Sequence, residues 1–159
     1  LDELTHDLPC DFLVLKDRGF DPDHILLPTA GGPDSVLGAE TVRLLRKEFG
    51  SRVTLLHAVN EDESREDGKR FLEEWAAENG LADADLLIDD RDVETAIADA
   101  ATDATLLVIG ATERGLLSRL VTGSLVLDVL DDVECSVLLA ERARKRTLRE
   151  RLLGLKKDE

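Results

Sequence analysis

The chain has 159 residues, with 35 Asp and Glu against 20 Lys and Arg, and its formal net charge is −15. A hydrophobic content of 43% is enough for a packed core in one domain of this length. The acidic balance argues against nucleic acid as a partner, since phosphate backbones bind basic proteins. A strongly acidic, lysine-poor chain suits a high-salt cytoplasm, where screening weakens self-repulsion, so we expect a salt-adapted source.

The first 20 residues do not have the pattern of a natural domain start. The chain contains no Met, which favours a piece of a longer protein. Segment 8–16 also matches segment 133–141: in each, a Cys is followed by one polar residue, four apolar residues and a charge. We interpret residues 1–20 as the tail strand of a preceding repeat plus a linker, and predict that residues 10–16 pair with 135–140 along the sheet edge. Chance similarity of two buried strands is the alternative.

The domain proper spans residues 21–141 and alternates strand and helix patterns. Continuous apolar strands separated by helices predict an α/β fold with a doubly wound, five-stranded parallel sheet and helices on both faces, plus the N-terminal extra strand. Asp34 or Ser35 is the predicted cap of the first helix. Cys10 and Cys135 begin apolar runs and are predicted to be buried. The strands are predicted at 24–29, 52–59, 84–88, 105–109 and 135–140, and the helices at 34–49, 69–79, 93–101 and 124–130.

The carboxyl ends of the strands are the predicted ligand site, because doubly wound sheets bind ligands at the topological switch point. Three loops converge there, at residues 29–31, at 58–60 and from Gly110 onward. The last of them runs from an apolar strand through a polar stretch to Gly123 and Ser124 at a helix start. Glycine lets backbone N–H groups approach a ligand, and a helix N-terminus adds partial positive charge. This loop therefore predicts an anion or phosphate site.

Catalytic and metal-binding patterns are weak in this sequence. His57 approaches the strand ends, but a packed sheet residue is favoured over a general base, and neither a Ser-His-Asp set nor Cys/His metal spacing is evident. Asp89, Asp90 and Asp92 could form a metal site, although a solvated acidic turn is favoured. We therefore expect no catalytic residue, no resident metal and no enzymatic activity.

The stretch after the last strand, residues 142–159, differs in composition from the rest. It holds eight Lys or Arg and one Glu within 142–157. Leu148, Leu152 and Leu155 fall at helical spacing, which favours a basic amphipathic helix that touches an anionic membrane surface or the acidic body. A frayed, solvated tail is the alternative.

Taken together, residues 23–141 resemble the universal stress protein family. The resemblance is carried by the segments ILLPT (25–29), LLHAV (55–59) and CSVLL (135–139), and by Gly110 with Gly123-Ser124 at the family's spacing. It implies dimerisation through the last strand, as a homodimer or as a pseudo-dimer with a preceding repeat. Some members bind ATP or AMP. Other family domains are cytoplasmic C-terminal parts of transporters, and segments 29–33 and 110–115 look most like those attached to amino-acid permeases.

The family's nucleotide site can be carried over position by position, with two departures. Ala30 stands where nucleotide-binding members have Asp, which removes a polar anchor worth about 1–3 kcal/mol. Glu113 stands for the second Gly of the phosphate loop, and its carboxylate would repel a phosphate by about 4 kcal/mol at ~4 Å. The resemblance thus implies a degenerate nucleotide or anion site, at Pro28, Thr29, Ala30, Ala58, Gly110, Glu113, Gly123, Ser124 and Leu125.

Two functions follow from these expectations. The first is a non-catalytic regulatory domain, cytoplasmic and tethered to an amino-acid transporter. The alternative is a stress sensor that binds ATP or AMP, with at most slow ATPase activity.

Overall fold

The computed structural model describes residues 10–110 and 131–143. These residues form six strands and three helices. The strands are β1 (Phe12–Lys16), β2 (His24–Pro28), β3 (Arg52–Ala58), β4 (Asp85–Asp89), β5 (Leu106–Gly110) and β6 (Ser136–Glu141), and the helices are α1 (Pro33–Phe49), α2 (Arg65–Glu78) and α3 (Val93–Ala101).

All six strands belong to one sheet, in the order β1-β6-β5-β2-β3-β4. The five strands from β2 to β6 are parallel, as the unbroken apolar runs predict. The predicted α/β fold and the extra N-terminal strand are therefore confirmed. The helix predicted at 124–130 lies outside the described residues.

Helices cover both faces of the sheet and create two cores. On one face α1 and α2 supply buried side chains such as Val42 and Leu72, which pack against Leu27 and Leu55. On the other face Ile97 of α3 packs against strand residues that include Leu26 and Leu107. Neighbouring residues of β2 thus enter opposite cores, because successive side chains of a strand point to opposite faces.

Strand β1 lies antiparallel to β6 at the edge of the sheet, with Phe12 opposite Glu141 and Lys16 opposite Val137. The prediction that residues 10–16 pair with the last strand is confirmed. Cys10, however, is exposed and Cys135 is half-buried, so the prediction that both are buried was wrong for Cys10 and is met only in part by Cys135. An edge strand has a neighbour on one side only, which leaves the residue before it open to solvent.

The start of α1 also differs from the prediction that Asp34 or Ser35 caps it. Gly32 is the cap residue, at φ 96°, and Pro33 occupies the first turn without a side-chain cap. Asp34 lies inside that turn, fully buried, and its Oδ1 accepts a hydrogen bond from the backbone N–H of Arg142 at 2.8 Å. The side chain that was predicted to cap the helix instead fixes the chain just after β6.

Helix α2 begins at Arg65, four residues before the predicted start, because Ser64 caps it and accepts a hydrogen bond from the N–H of Asp67 at 3.1 Å. None of the helices within residues 10–110 and 131–143 is long and apolar enough to cross a lipid bilayer.

Candidate functional site

The topological switch point lies between β2 and β5. These strands are neighbours in the sheet, and the chain continues from β2 to β3 on one side and from β5 to β6 on the other. Pro28 ends β2 and Gly110 ends β5. In sheets of this topology, ligands bind at the switch point, so these two residues mark the place of the predicted ligand site.

The structure places five of the nine predicted site residues at or near the carboxyl ends of strands. Pro28, Thr29, Ala58 and Gly110 are buried, and Ala30 is half-buried. Because they are buried, these residues offer little accessible surface to a ligand. The other four predicted residues, which are Glu113, Gly123, Ser124 and Leu125, lie outside the described residues.

Thr29 uses its polar atoms within the protein. Its backbone N–H donates to the carbonyl of Leu56 at 2.8 Å, and its Oγ1 accepts from the N–H of Gly31 at 3.1 Å. Its carbonyl oxygen lies 2.9 Å from Nδ1 of His57. Ala30, which follows, has no polar side chain and packs against the core beneath α3. These hydrogen bonds hold the backbone at the end of β2 and occupy the Thr29 N–H and carbonyl.

His57 is a buried bridge between two loops. A carbonyl oxygen only accepts, so Nδ1 carries the proton that is donated to Thr29. Nε2 lies 3.1 Å and 3.2 Å from the carboxylate oxygens of Glu63. The imidazole ring also packs on Phe71 with ring centroids 4.6 Å apart. These contacts agree with the expectation that His57 is a packed sheet residue.

Sequence reasoning missed two residues that hold this bridge together. Glu63 lies in an acidic loop, and nothing in the sequence distinguishes it from its acidic neighbours. Gly68 lies in the first turn of α2, where a Cβ would come within 2.4 Å of Val59 and 3.3 Å of the His57 ring. The glycine lets the start of α2 approach the end of β3 closely.

Gly110 has a structural reason for lacking a side chain. A Cβ there would lie 2.7 Å from the carbonyl carbon of Asp34 and 2.7 Å from the backbone nitrogen of Ser35. Backbone atoms cannot move aside as the end of a side chain can. The glycine at the end of β5 is thus required for packing against the first turn of α1, whether or not a ligand binds.

A neighbouring cleft of about 560 Å³ lies at the carboxyl ends of β3 and β4. Carboxylates outnumber the basic groups that line it, so it would repel the phosphates of a nucleotide. Its charged lining consists of Glu61, Glu63, Asp90, Asp92 and Glu94, with Arg65 and Arg91.

The acidic turn after β4 is held by its own arginine and helix cap. Arg91 donates to both carboxylate oxygens of Asp89, at 3.0 Å and 2.6 Å, which lowers the pKa of Asp89 and raises that of Arg91. Asp92 caps α3, and hydrogen bonds from the backbone and hydroxyl of Thr95 lower its pKa. Across residues 10–110 and 131–143, no group of three or more His, Cys, Asp or Glu is arranged to hold a metal ion.

A five-stranded parallel sheet with its topological switch point between β2 and β5 defines a doubly wound α/β domain, a fold that binds ligands at its strand ends. The family model described as "Universal stress protein family" matches residues 22–141. The chain therefore belongs to the universal stress protein family.

Solved structures share this fold at low sequence identity. A universal stress protein from Archaeoglobus fulgidus is 18% identical with a TM-score of 0.59, and a protein of unknown function from Pseudomonas aeruginosa is 21% identical with a TM-score of 0.63. Each match covers 89% of this chain, which spans only 53% and 55% of those proteins. A universal stress protein solved in complex with cAMP is 18% identical, with a TM-score of 0.55, over 74% of this chain and 94% of that one. No curated protein matches this chain in sequence.

Proposed function

We propose that this domain is a non-catalytic regulatory module that acts through contacts with other protein domains rather than through a bound nucleotide. The observation that carries the proposal is the hydrogen bonding at the end of β2. The hydroxyl oxygen of Thr29 accepts a hydrogen bond from Gly31, its carbonyl oxygen accepts one from His57, and Ala30 offers no polar side chain. A nucleotide would find few free hydrogen-bonding groups at the end of β2.

Isothermal titration calorimetry with ATP, AMP and cAMP, each with and without Mg²⁺, tests this proposal. We expect no binding at micromolar concentration. The matched variant is Ala30→Asp with Glu113→Gly, which restores the two residue types that the family's nucleotide-binding members carry. A regained polar anchor of about 1–3 kcal/mol corresponds to a roughly 5- to 150-fold gain in affinity. Micromolar binding by the unmodified chain would refute the proposal.

The second candidate is a nucleotide-binding stress sensor. It is favoured by a similar structure, a universal stress protein that was solved in complex with cAMP. Under this alternative ATP or AMP binds weakly, and any ATPase activity is slow. The same titration separates the two candidates, since the sensor requires saturable heat with at least one nucleotide.

We propose that the parent protein is an amino-acid transporter and that this domain lies on its cytoplasmic side. Support comes from the resemblance of segments 29–33 and 110–115 to permease-attached domains. The coding sequence upstream of Leu1 is the direct test. Several apolar segments, each long enough to span a bilayer, would support the transporter. A soluble protein that ends with this domain would contradict it.

We further propose that the domain works as one half of a pair joined through β6. In this chain the pairing partner of β6 is β1, so the pair is an intramolecular pseudo-dimer. A homodimer through β6 is the alternative, and it requires β1 to leave the sheet edge. Size-exclusion chromatography with light scattering distinguishes them: we expect a monomer, and a dimer that persists on dilution would favour the alternative.

A further inference from the structure

Two exposed leucines of β1 form an apolar surface beside α1, and we call them the apolar shelf. They are Leu13 and Leu15, which are 47% and 43% exposed. Leu15 pairs with Leu138, which belongs to the core that α1 covers, and every second residue of a strand points to the same face. Both shelf residues therefore lie on the α1 side of the sheet.

The apolar shelf has room for one more helix next to α1. A Cβ at Gly38 of α1 would touch Leu27 of β2 and Val108 of β5, so α1 crosses above these two strands. Packed helices lie about 8–10 Å apart, and neighbouring strands lie about 4.8 Å apart. The next helix position is therefore two strands further along the sheet, above β6 and β1. None of the helices within residues 10–110 and 131–143 occupies it.

The chain leaves β6 at one end of this shelf and is fixed there by hydrogen bonds. The backbone N–H of Arg142 donates to Asp34 in the first turn of α1 at 2.8 Å. Its guanidinium donates to carboxylates on both sides, to Asp11 before β1 at 3.1 Å and to Glu40 of α1 at 2.9 Å. The backbone N–H of Ala143 donates to Asp11 at 2.7 Å. Residue 143 is thus held between the start of β1 and α1, where the shelf begins.

The segment that follows residue 143 has the apolar pattern and the length to cover the shelf. Only residues 144–147 separate it from three leucines at helical spacing, which we call the leucine stripe: Leu148, Leu152 and Leu155. A helix over residues 147–157 is about 16 Å long at 1.5 Å per residue. The five residues of β1 span about 17 Å, so the two lengths match.

We propose that residues 144–159 fold back along β1 as a helix and dock the leucine stripe on the apolar shelf. The short tether favours this occupant over other molecules, because it gives an effective concentration in about the millimolar range. Charge favours it too: residues 142–157 hold eight Lys or Arg and one Glu, in a chain whose net charge is −15. The docking goes beyond the regulatory function proposed above and holds whether or not a nucleotide binds.

Alkylation of a cysteine placed on the shelf tests the docking in the full chain. Leu13→Cys is made in a background of Cys10→Ser and Cys135→Ala. Its alkylation rate is then compared after Leu152→Gln, within the stripe, and after Leu153→Gln, one residue outside it. The rate follows the undocked fraction, and a buried leucine changes an equilibrium constant by about 10- to 100-fold. We therefore expect Leu152→Gln to speed alkylation about tenfold or more and Leu153→Gln to leave it unchanged; equal rates would overturn the proposal.

Other occupants of the shelf give different results in the same assay. If a second copy of the chain covered it, alkylation of Leu13→Cys would slow as the protein concentration rises. If the leucine stripe waited for a membrane instead, Leu13→Cys would react as fast in water as Leu87→Cys, at a 37% exposed position of the opposite edge strand β4. Either result would overturn the proposal.

A reciprocal test changes the shelf and observes the C-terminal segment. Hydrogen exchange of the amides of residues 148–155 is measured in the unmodified chain, in Leu13→Glu and in the control Leu87→Glu. A carboxylate on the shelf opposes burial by apolar side chains, so we expect slow exchange in the unmodified chain and the control, and exchange at least about tenfold faster in Leu13→Glu. The same exchange rate in all three proteins would contradict the docking.

Discussion

At the end of β5, Gly110 faces the backbone of α1 at a distance that no side chain tolerates. The same residue belongs to the glycine pattern from which a phosphate site was predicted. Its packing role accounts for the glycine without a ligand. A glycine in a phosphate-loop pattern is therefore weak evidence for phosphate when the strand it ends also packs against a helix start.

Gly110→Ala is expected to destabilise the fold by about 1–3 kcal/mol, because the new Cβ would overlap backbone atoms of Asp34 and Ser35. Gly38→Ala is the matched comparison. Its Cβ would meet only the ends of two side chains, Leu27 at 3.1 Å and Val108 at 3.6 Å, and alanine favours a helix interior. We expect that variant to be nearly neutral. Urea unfolding of both variants measures the difference, and equal stabilities would contradict this account of Gly110.

The ion pair of Asp89 and Arg91 predicts a pH dependence with a definite sign. Hydrogen bonds from Arg91 hold the pKa of Asp89 below its value in the unfolded chain. The ionised carboxylate therefore stabilises the fold above the unfolded pKa of about 4, and this contribution is lost as the pH falls through the lower, native value.

Asp89→Asn should accordingly lower stability at neutral pH and lose that effect as the solution is acidified towards pH ~3. Asp90→Asn, which removes an exposed carboxylate of the same turn, is the control. Chemical unfolding of the unmodified chain and of both variants, from neutral pH to pH ~3, measures their free energies of unfolding. A deficit of Asp89→Asn that is constant with pH would rule out the ion pair as its source.

At the scale of elements, the sheet edge is the most informative feature. Strand β1 satisfies one edge of β6 with main-chain hydrogen bonds, and no strand within residues 10–110 and 131–143 pairs with the outer edge of β1. Leu13 and Leu15 of β1 are exposed. Exposed edges invite pairing with other chains. Among the described strands, the strand with unpaired backbone N–H and C=O groups at this side of the sheet is therefore β1 rather than β6.

The β1–β6 register predicts a specific cross-link. With Cys10→Ser and Cys135→Ala in the background, Val14→Cys and Leu139→Cys place two thiols directly opposite each other on one face. We expect an intrachain disulfide under mild oxidation, seen as a mass loss of two hydrogens and protection from alkylation. Val14→Cys with Leu138→Cys is the control, because Leu138 pairs with Leu15 and points to the other face. Cross-linking of both pairs alike would show that the register slips.

At the scale of the whole molecule, charge is the dominant property. A net charge of −15 on 159 residues opposes compaction through self-repulsion, and the described acidic side chains are only partly offset by ion pairs such as Arg46–Asp83 and Arg142–Glu40. Salt screens this repulsion over a Debye length of about 10 Å at 0.1 M and about 3 Å at 1 M.

The unfolding midpoint should therefore rise from low to molar KCl. A variant with three exposed carboxylates replaced by amides, Glu61→Gln, Asp62→Asn and Glu74→Gln, should be less sensitive to salt, because it has less repulsion to screen. Thermal unfolding in a KCl series compares the two proteins. A midpoint that is independent of KCl in the unmodified chain would contradict the salt-adapted interpretation.

Local signals in the sequence were sufficient for most of the fold. Unbroken apolar strands between helix patterns specified the parallel sheet, and the repeat of the Cys-led segment specified an extra strand beside the last one. Where local signals were equivocal, the predictions failed. Asp34 has the chemistry of a helix cap, but Pro33 starts the helix and Gly32 before it has a positive φ, which favours glycine, so the cap is a glycine.

By itself, the sequence determined the order of strands and helices, the family and the two departures, Ala30 and Glu113, from the nucleotide-binding pattern. These depend on residue type and spacing, which are local. Only the tertiary structure decided that the Thr29 carbonyl accepts a hydrogen bond from His57, that Gly110 packs against the first turn of α1, and in which register β1 pairs with β6. Each depends on contacts between residues that are far apart in the sequence, and those contacts are set by packing across the sheet rather than by sequence neighbours.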